Sequence, residues 1–489
     1  MMNPVLMPPG STQVPPVADS DLAFMGLTEV AQAIARRQLS AVEVTQACLQ
    51  RIAQWQASRK AFIRIDAETA LAAAQKADAQ LAQRSFQPGP LHGVPLAHKD
   101  LFYRRGLVST CGSLIRRDWR ADDTATCLTR LDQAGALDLG TLNMSEFAGG
   151  PTGHNIHHGH CASAFHPDHI AGGSSSGSGV AVGAGLVFGS LGTDTGGSIR
   201  LPASANGVLG LKPTYGRVSR KAVMPRAWSL DHVGMLTRSA ADAARLLRLI
   251  AGPDPLDATA LDQPVPDYES TLGDAVRGVR VGVPDLSGLG QIDVAVQSML
   301  DASLAVLRDC GTQSVAVPIG DMSPLFRCAE TIIKSEAASI HGPWLRARPQ
   351  DYTPLFRSRT EAGFLIPATQ YIDALRWRTQ LSRSFMDTTM KDIDVLIMPC
   401  MPYALPTIAD SDVERSGEAV RTLIGRITMF TRPFNLLGLP VVQIPAGFCP
   451  AGLPLGFQLV GHPFQEALLL RLAHHFMAQM RPFVRRPEL

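Results

Sequence analysis

The residues from Gly172 to Ser219 read GGSSSGSGVAVGAGLVFGSLGTDTGGSIRLPASANGVLGLKPTYGRVS. Two turns of small residues, Gly172 to Gly177 and Gly192 to Ser198, flank a segment of Ala, Val and Gly that is apolar enough for a core, and each turn presents serine. Backbone without Cβ atoms approaches a substrate closely and takes dihedrals closed to other residues, so Thr195, Gly196 and Gly197 are placed to aim successive N–H groups at one point. Such a cluster stabilises an oxyanion. Ser198, at its edge, is the candidate nucleophile. A hydroxyl is a weak nucleophile near neutral pH and requires a base within hydrogen-bond reach. The nearest candidates in sequence are other serines, not a histidine.

This stretch resembles the signature of the amidase signature family, whose usual form runs GGSSGGS, then GTDTGGSIR, then GLKPTYGR. Ser174 and Ser198 stand 24 residues apart, as the two family serines do, and His98-Lys99-Asp100 lies upstream where the family keeps its lysine. The resemblance implies a Ser-cisSer-Lys triad: Ser198 as nucleophile, Ser174 as a bridging serine behind a cis peptide bond, and Lys99 as base. It also implies an oxyanion hole from Thr195, Gly196, Gly197 and Ser198. Lys99 has to be neutral to accept a proton, which requires desolvation; the apolar run Leu91 to Ala97 agrees with such burial. Asp194 and Arg200 bracket the nucleophile turn, and the resemblance implies that they are buried and hold it rigid, with Ser175 in a supporting hydrogen bond near Lys99. Ser176 departs from the pattern, standing where the family has glycine. The implied fold is α/β, a large mixed β-sheet covered on both faces by helices. It would form a single domain over 21–489, with the signature core at about 90–250.

Composition narrows the function class. With 45 basic and 43 acidic residues the net charge is +2, which gives no electrostatic reason to expect nucleic acid or an anionic membrane as partner. Eight cysteines without a CxxC pair suit free thiols in a reducing, cytoplasmic compartment better than a disulfide framework or a zinc site. Residues 1–20 carry paired prolines and lack a basic region followed by an apolar one, so they read as a flexible arm rather than a signal peptide. No apolar run reaches the length of a membrane span.

Along the chain, Leu27 to Arg37, Ala41 to Gln56 and Asp66 to Arg84 show helical patterns, with Ser40 to Glu43 in the form of a capping box. Gly93 to Asp100 reads as a strand ending on Lys99. A helix over Thr124 to Ala134, capped near Asp123, precedes a strand over Ala136 to Leu142. The following Asn143 to Gly150 resembles the family loop that lines the substrate pocket, which places Ala148, Gly149 and Gly150 beside the scissile amide. His154, His157, His158, His160, His166 and His169 match no zinc spacing, and the loop reads as solvated, with no metal. Gly252 to Tyr268 is a Pro- and Asp-rich connector. Val279 to Pro284, Ala295 to Asp309 and Ser314 to Pro318 form a βαβ pattern. The divergent segment from about 324 to 389 carries Trp344, Tyr352, Phe356, Phe364, Tyr371 and Trp377 and is the expected substrate wall, with a slight bias to hydrophobic acyl groups. Ile393 to Pro399, Val441 to Phe448 and Gly456 to Gly461 complete the sheet under a helix over Gln465 to Gln479.

The activity expected is hydrolysis of a linear carboxylic amide through a Ser198 acyl-enzyme, with esters or urethanes as side substrates and no cofactor. Three rival readings stand beside it, one of them a non-catalytic binding or scaffold protein, against which the intact Lys99, Ser174 and Ser198 set argues. Gly173-Ser174-Ser175-Ser176-Gly177 fits the G-x-S-x-G elbow of serine esterases, with Ser175 central. The glutamine-hydrolysing component of the tRNA-dependent amidotransferase complex shares the signature, but its glutamine site uses an acidic residue where Thr428 stands here. The partner expected is a small amide, and the oligomeric state is open, with a homodimer the working assumption.

Overall fold

The computed structural model describes residues 22–412, 422, 425–480 and 485–488. The arm expected over 1–20 lies outside them. The opening helices Leu27–Ala35, Ala41–Arg59 and Ala67–Ala82 fall where the apolar spacing puts them. Ser40 Oγ accepts from the Glu43 N–H at 3.0 Å while Glu43 Oε2 accepts from the Ser40 N–H at 2.8 Å, the reciprocal bonds of a capping box.

Two sheets organise the chain. The first has three strands in the order β1 (Phe62–Ile65), β3 (Leu137–Leu142), β2 (Pro95–Lys99), with β2 and β3 parallel. Lys99 therefore ends a strand of a small sheet beside the main one. The helix preceding β3 is Thr126–Gln133; its N-cap is Ala125, with no side-chain cap, because the Asp123 carboxylate instead accepts from the Thr124 N–H and pairs with Lys221. The expected cap at Asp123 is thus corrected.

The second sheet has eight strands. Its order is β4 (Gly189–Asp194), β6 (His232–Thr237), β5 (Leu209–Lys212), β10 (Val441–Phe448), β11 (Pro454–Gly461), β9 (Val395–Pro399), β7 (Arg280–Pro284), β8 (Gln313–Val317). It is mixed: β7 runs parallel to β8 and β9, and the remaining pairs are antiparallel. The helix Val294–Asp309 between β7 and β8 makes the expected βαβ unit. Neighbouring residues of a strand point to opposite faces, and β11 shows the consequence. On one side, the space above Gly456 meets Ser204 of the helix Arg200–Ala205; on the other, Phe457 packs edge-on to Phe476 of the helix Glu466–Met480 at 4.9 Å. The sheet is covered on both faces.

Between the sheets runs the helix Ser176–Gly183, every residue of which is buried. Its small side chains allow this. A Cβ on Gly177 would stand 2.2 Å from the Ala61 carbonyl oxygen. Ser176 is accommodated by donating to the Asn143 carbonyl at 3.3 Å. The helix thus carries the first serine turn at its N-terminus, against the end of β4, from which the second turn emerges.

Candidate active site

Lys99 is 1% exposed, and its Nζ lies 2.7 Å from Ser174 Oγ and 2.9 Å from Thr193 Oγ1. Burial pulls its pKa down from the ordinary lysine range to about 7, although Asp194 and Asp231 pull the other way. A substantial fraction of neutral amine therefore exists at neutral pH. The Gly173–Ser174 peptide is cis, and Ser174 is fully buried. Ser198 lines a cavity of about 380 Å³ together with Ala148, Gly149, Gly150, Thr195 and Gly196.

The turn that holds Ser198 is fixed by a buried ion pair. Asp194 and Arg200 are both 0% exposed. Arg200 Nε and Nη2 each donate to the Asp194 carboxylate at 3.0 Å, and its remaining N–H groups reach Gln458 Oε1 at 2.8 Å and Asn435 Oδ1 at 2.7 Å. Asp194 also accepts from the Gly197 N–H at 2.7 Å and the Ile199 N–H at 3.1 Å. Burial alone would raise the Asp194 pKa; Arg200 overrides it and holds the carboxyl well below the usual range. Gly197 has φ 129°, and a Cβ there would stand 2.4 Å from Thr431 Oγ1, which donates to the Gly196 carbonyl at 2.6 Å. Because the Gly197 N–H is taken by Asp194, the donors left near the cavity in this turn are Thr195, Gly196 and Ser198. Removing one partner of a buried pair leaves the other charge uncompensated, at a cost of about 3–5 kcal/mol. Arg200→Met is expected to show this loss as a lower urea midpoint at unchanged slope.

Several side chains near the signature behave otherwise than their position in the sequence implies. Ser175 makes no bond to Lys99 itself but bonds to its partner: its Oγ donates at 3.3 Å to the carbonyl of Thr193, whose hydroxyl holds Lys99 Nζ, and its N–H donates to the Ser198 carbonyl at 3.2 Å. It is fully buried, it does not line the cavity, and the stretch before it forms only isolated bridges rather than a strand. The esterase elbow loses its geometry. His98 turns away from the lysine, its Nδ1 accepting from the Leu191 N–H at 3.1 Å. The histidine loop is partly buried rather than solvated. His154 lies 3.0 Å from the Ile408 carbonyl, His169 lies 2.8 Å from that of Leu405, and His157 faces Glu146 at 3.3 Å. Among the described residues no three metal-ligating side chains converge anywhere.

The segment 324–389 does reach the cavity, through Phe326, Glu330, Ile333, Lys334 and Arg359. The aromatics singled out there do not. Trp344, Tyr352 and Phe356 pack instead around Phe147 and His341, and Trp377 and Phe364 are exposed. The expected bias to an apolar lining is also corrected, since Arg226 and Arg432 stand in the wall as well. Sequence reasoning missed Thr193, Thr431, Asn435 and Gln458. Thr193 sits inside the GTDTGGSIR motif that carries the family resemblance, so for it the signal was present without a role attached.

The amidase family profile matches residues 43–470. The chain belongs to the amidase family. It is 40% identical to the putative amidase AmiD of Mycobacterium tuberculosis over 99% of this chain and 100% of that protein. It is 38% identical to the glutamyl-tRNA(Gln) amidotransferase A chain of Halorhodospira halophila over 92% and 96% of the two chains. Among solved structures it superposes with a TM-score of 0.86 on a chain described as part of an unexpected vestigial protein complex that reveals the evolutionary origins of an s-triazine catabolic enzyme. That chain is 34% identical, with 95% of this amidase and all of that chain covered. The amidase signature fold and cleavage of an amide C–N bond follow from membership. Among the described residues no helix of this amidase is long and apolar enough to cross a membrane.

Proposed function

We propose that this amidase hydrolyses a carboxylic amide through an acyl-enzyme on Ser198, releasing a carboxylate and ammonia or an amine. The observation that carries the reading is a buried lysine with a pKa near 7 whose Nζ lies 2.7 Å from Ser174 Oγ, behind a cavity onto which Ser198 opens. Neutral Lys99 takes a proton relayed through Ser174 as Ser198 Oγ attacks the carbonyl carbon. The N–H groups around Thr195, Gly196 and Ser198 receive the oxyanion, and fixed dipoles aimed at developing charge supply the largest part of such acceleration. Ser174 then passes a proton to the leaving nitrogen, which is too basic to depart as an anion. Water enters by the same relay and frees Ser198. Ala148, Gly149 and Gly150, which line the same cavity, are the wall against which the amide lies.

Partition with hydroxylamine tests the intermediate. An amide and an ester with the same acyl group are expected to give the same ratio of hydroxamate to acid, and acid quenching is expected to trap the acyl group on the peptide containing Ser198. Ratios that differ with the leaving group would rule out a common acyl-enzyme. The glutaminase reading is less well supported by the same cavity. Thr428 offers no charge to an α-ammonium group, and the carboxylate in the lining, Glu330, is already paired with Lys334 at 2.8 Å.

A further inference from the structure

The cavity in front of Ser198 has more positive charge than its own walls can balance. Arg226, Arg359, Arg432 and Lys334 line it, against one carboxylate among the described lining residues, Glu330. Arg226 is 8% exposed, and its guanidinium lies 4.8 Å over the Phe356 ring with Nη1 buried and without a hydrogen-bond partner. Asp231, the acid nearest to it in sequence, accepts from Thr195 Oγ1 at 2.5 Å and from the backbone N–H groups of Arg226 and Ala227, so its oxygens serve the loop rather than the guanidinium. Arg432 lies 5.1 Å over the Phe326 ring, its Nε is buried and unpartnered, and that nitrogen stands 3.6 Å from where a Cβ on Gly196 would be. Arg359 Nη1 donates to the Gly149 carbonyl at 3.2 Å. Burial and then mutual repulsion with neighbouring guanidinium groups bring Arg226 down to about 10; for Arg432 burial acts first, Glu330 opposes it and Arg359 adds to it, again to about 10.

A buried guanidinium with idle N–H groups is costly unless an anion meets it, and its planar fork fits a carboxylate two bonds at a time. Arg432 Nε stands beside the oxyanion turn, Arg226 lines the same cavity with its idle Nη1, and Arg359 reaches the Ala148–Gly150 wall through its bond to Gly149. We propose that the amide cleaved at Ser198 carries a free carboxylate, received by Arg226, Arg359 and Arg432. This deepens the acyl-enzyme reading and rests on it. The carboxylate belongs to the acyl part or to the leaving amine, and matched substrates distinguish the two.

The test pairs each anionic amide with an analogue in which an isopropyl group replaces the carboxylate. Succinamate and 4-methylpentanamide, with glutaramate and 5-methylhexanamide, probe the acyl side; N-acetylglycinate and N-isobutylacetamide probe the leaving side. Alongside turnover, succinate and its diamide are compared as protectants of Ser198 against a sulfonyl fluoride. The expected result is at least about a 100-fold preference in kcat/KM for the carboxylate in one arm, since a buried polar site rejects a substrate that leaves it unpaired. Protection by succinate and not by the diamide is expected with it. In Arg432→Met and Arg226→Met the preference ratio is expected to fall more than tenfold, mainly through KM, with Arg432→Lys retaining part of it; an unchanged melting temperature shows that these variants fold. No preference in either arm and no selective protection would overturn the proposal, while Ser198 labelling and neutral-amide hydrolysis would leave the acyl-enzyme reading standing. Failure of Ser198 to label at all would overturn both.

Discussion

Replacing Ser198 with alanine is expected to reduce kcat for the preferred amide by about 10⁴-fold or more, with KM changed only a few-fold. Ser198 lines the cavity from the turn fixed by Asp194 and Arg200, whereas the other hydroxyl of that turn, on Thr195, is already donated to Asp231. Ser174→Ala is expected to approach the same loss, because Lys99 Nζ then loses its relay to the nucleophile and keeps only Thr193 Oγ1, which lies within β4. The two losses are not expected to add. Residues that act as one unit lose nearly everything on the first deletion, so the double variant should sit close to either single one. Ser175→Ala gives the contrast, since it removes one buried hydrogen bond to the Thr193 carbonyl and is expected to cost less than tenfold in rate. Stopped assays on these variants at matched folded concentration decide the matter. Full activity in Ser198→Ala would move the nucleophile elsewhere, and a loss in Ser175→Ala as large as that in Ser198→Ala would reopen the elbow reading.

What the chain revealed in advance follows from how local each signal is. The capping box at Ser40, the βαβ unit over β7 and β8, and the strands β10 and β11 are written in short periodic patterns, so their bounds came within a few residues. The signature served in the same way, because turn, helix and nucleophile lie within one continuous stretch that small side chains allow to be buried. Contacts between distant segments were not legible. Arg200 meets Asn435 and Gln458 across more than 230 residues, and no spacing rule encodes that distance. The cation-rich cavity is assembled from Arg226, Arg359 and Arg432, each unexceptional in its own neighbourhood. The aromatics of 324–389 misled for a related reason. At helical spacing a tryptophan that packs on Phe147 and one that faces solvent have the same pattern, and only the tertiary partner separates Trp344 from Trp377.

Lys99→Met is expected to lower kcat/KM by about 10²–10⁴-fold, the range for removing a positioned base. Its signature is in the pH profile. In the wild type, activity requires the neutral amine, so kcat/KM should rise tenfold per pH unit below about 7 and level off above it, because burial has moved the lysine from its ordinary range to about 7. The same shift acts on stability with a defined sign. Between pH about 7 and 10.5 the unfolded chain binds a proton on this lysine that the folded chain does not, so stability gained from this group rises with pH across that window and is lost as pH falls back to 7. In Lys99→Met both the acidic limb of the rate profile and this slope in the denaturation midpoint should vanish together. Methionine keeps the length and fills the apolar space, so a folded variant is expected. If the limb near pH 7 survived the substitution, another group would own it. Among its charged or ionisable neighbours, Asp194 is held far below that range by Arg200, and burial pushes Cys111 up to about 11. Asp231 is raised by burial and holds the Thr195 hydroxyl at 2.5 Å beside the oxyanion turn. A surviving limb would therefore point to a buried carboxyl raised toward that range: Asp100, next to Lys99 and pushed up by burial to about 6, or Asp231, whose proton path would reach Ser198 through Thr195 rather than through Ser174.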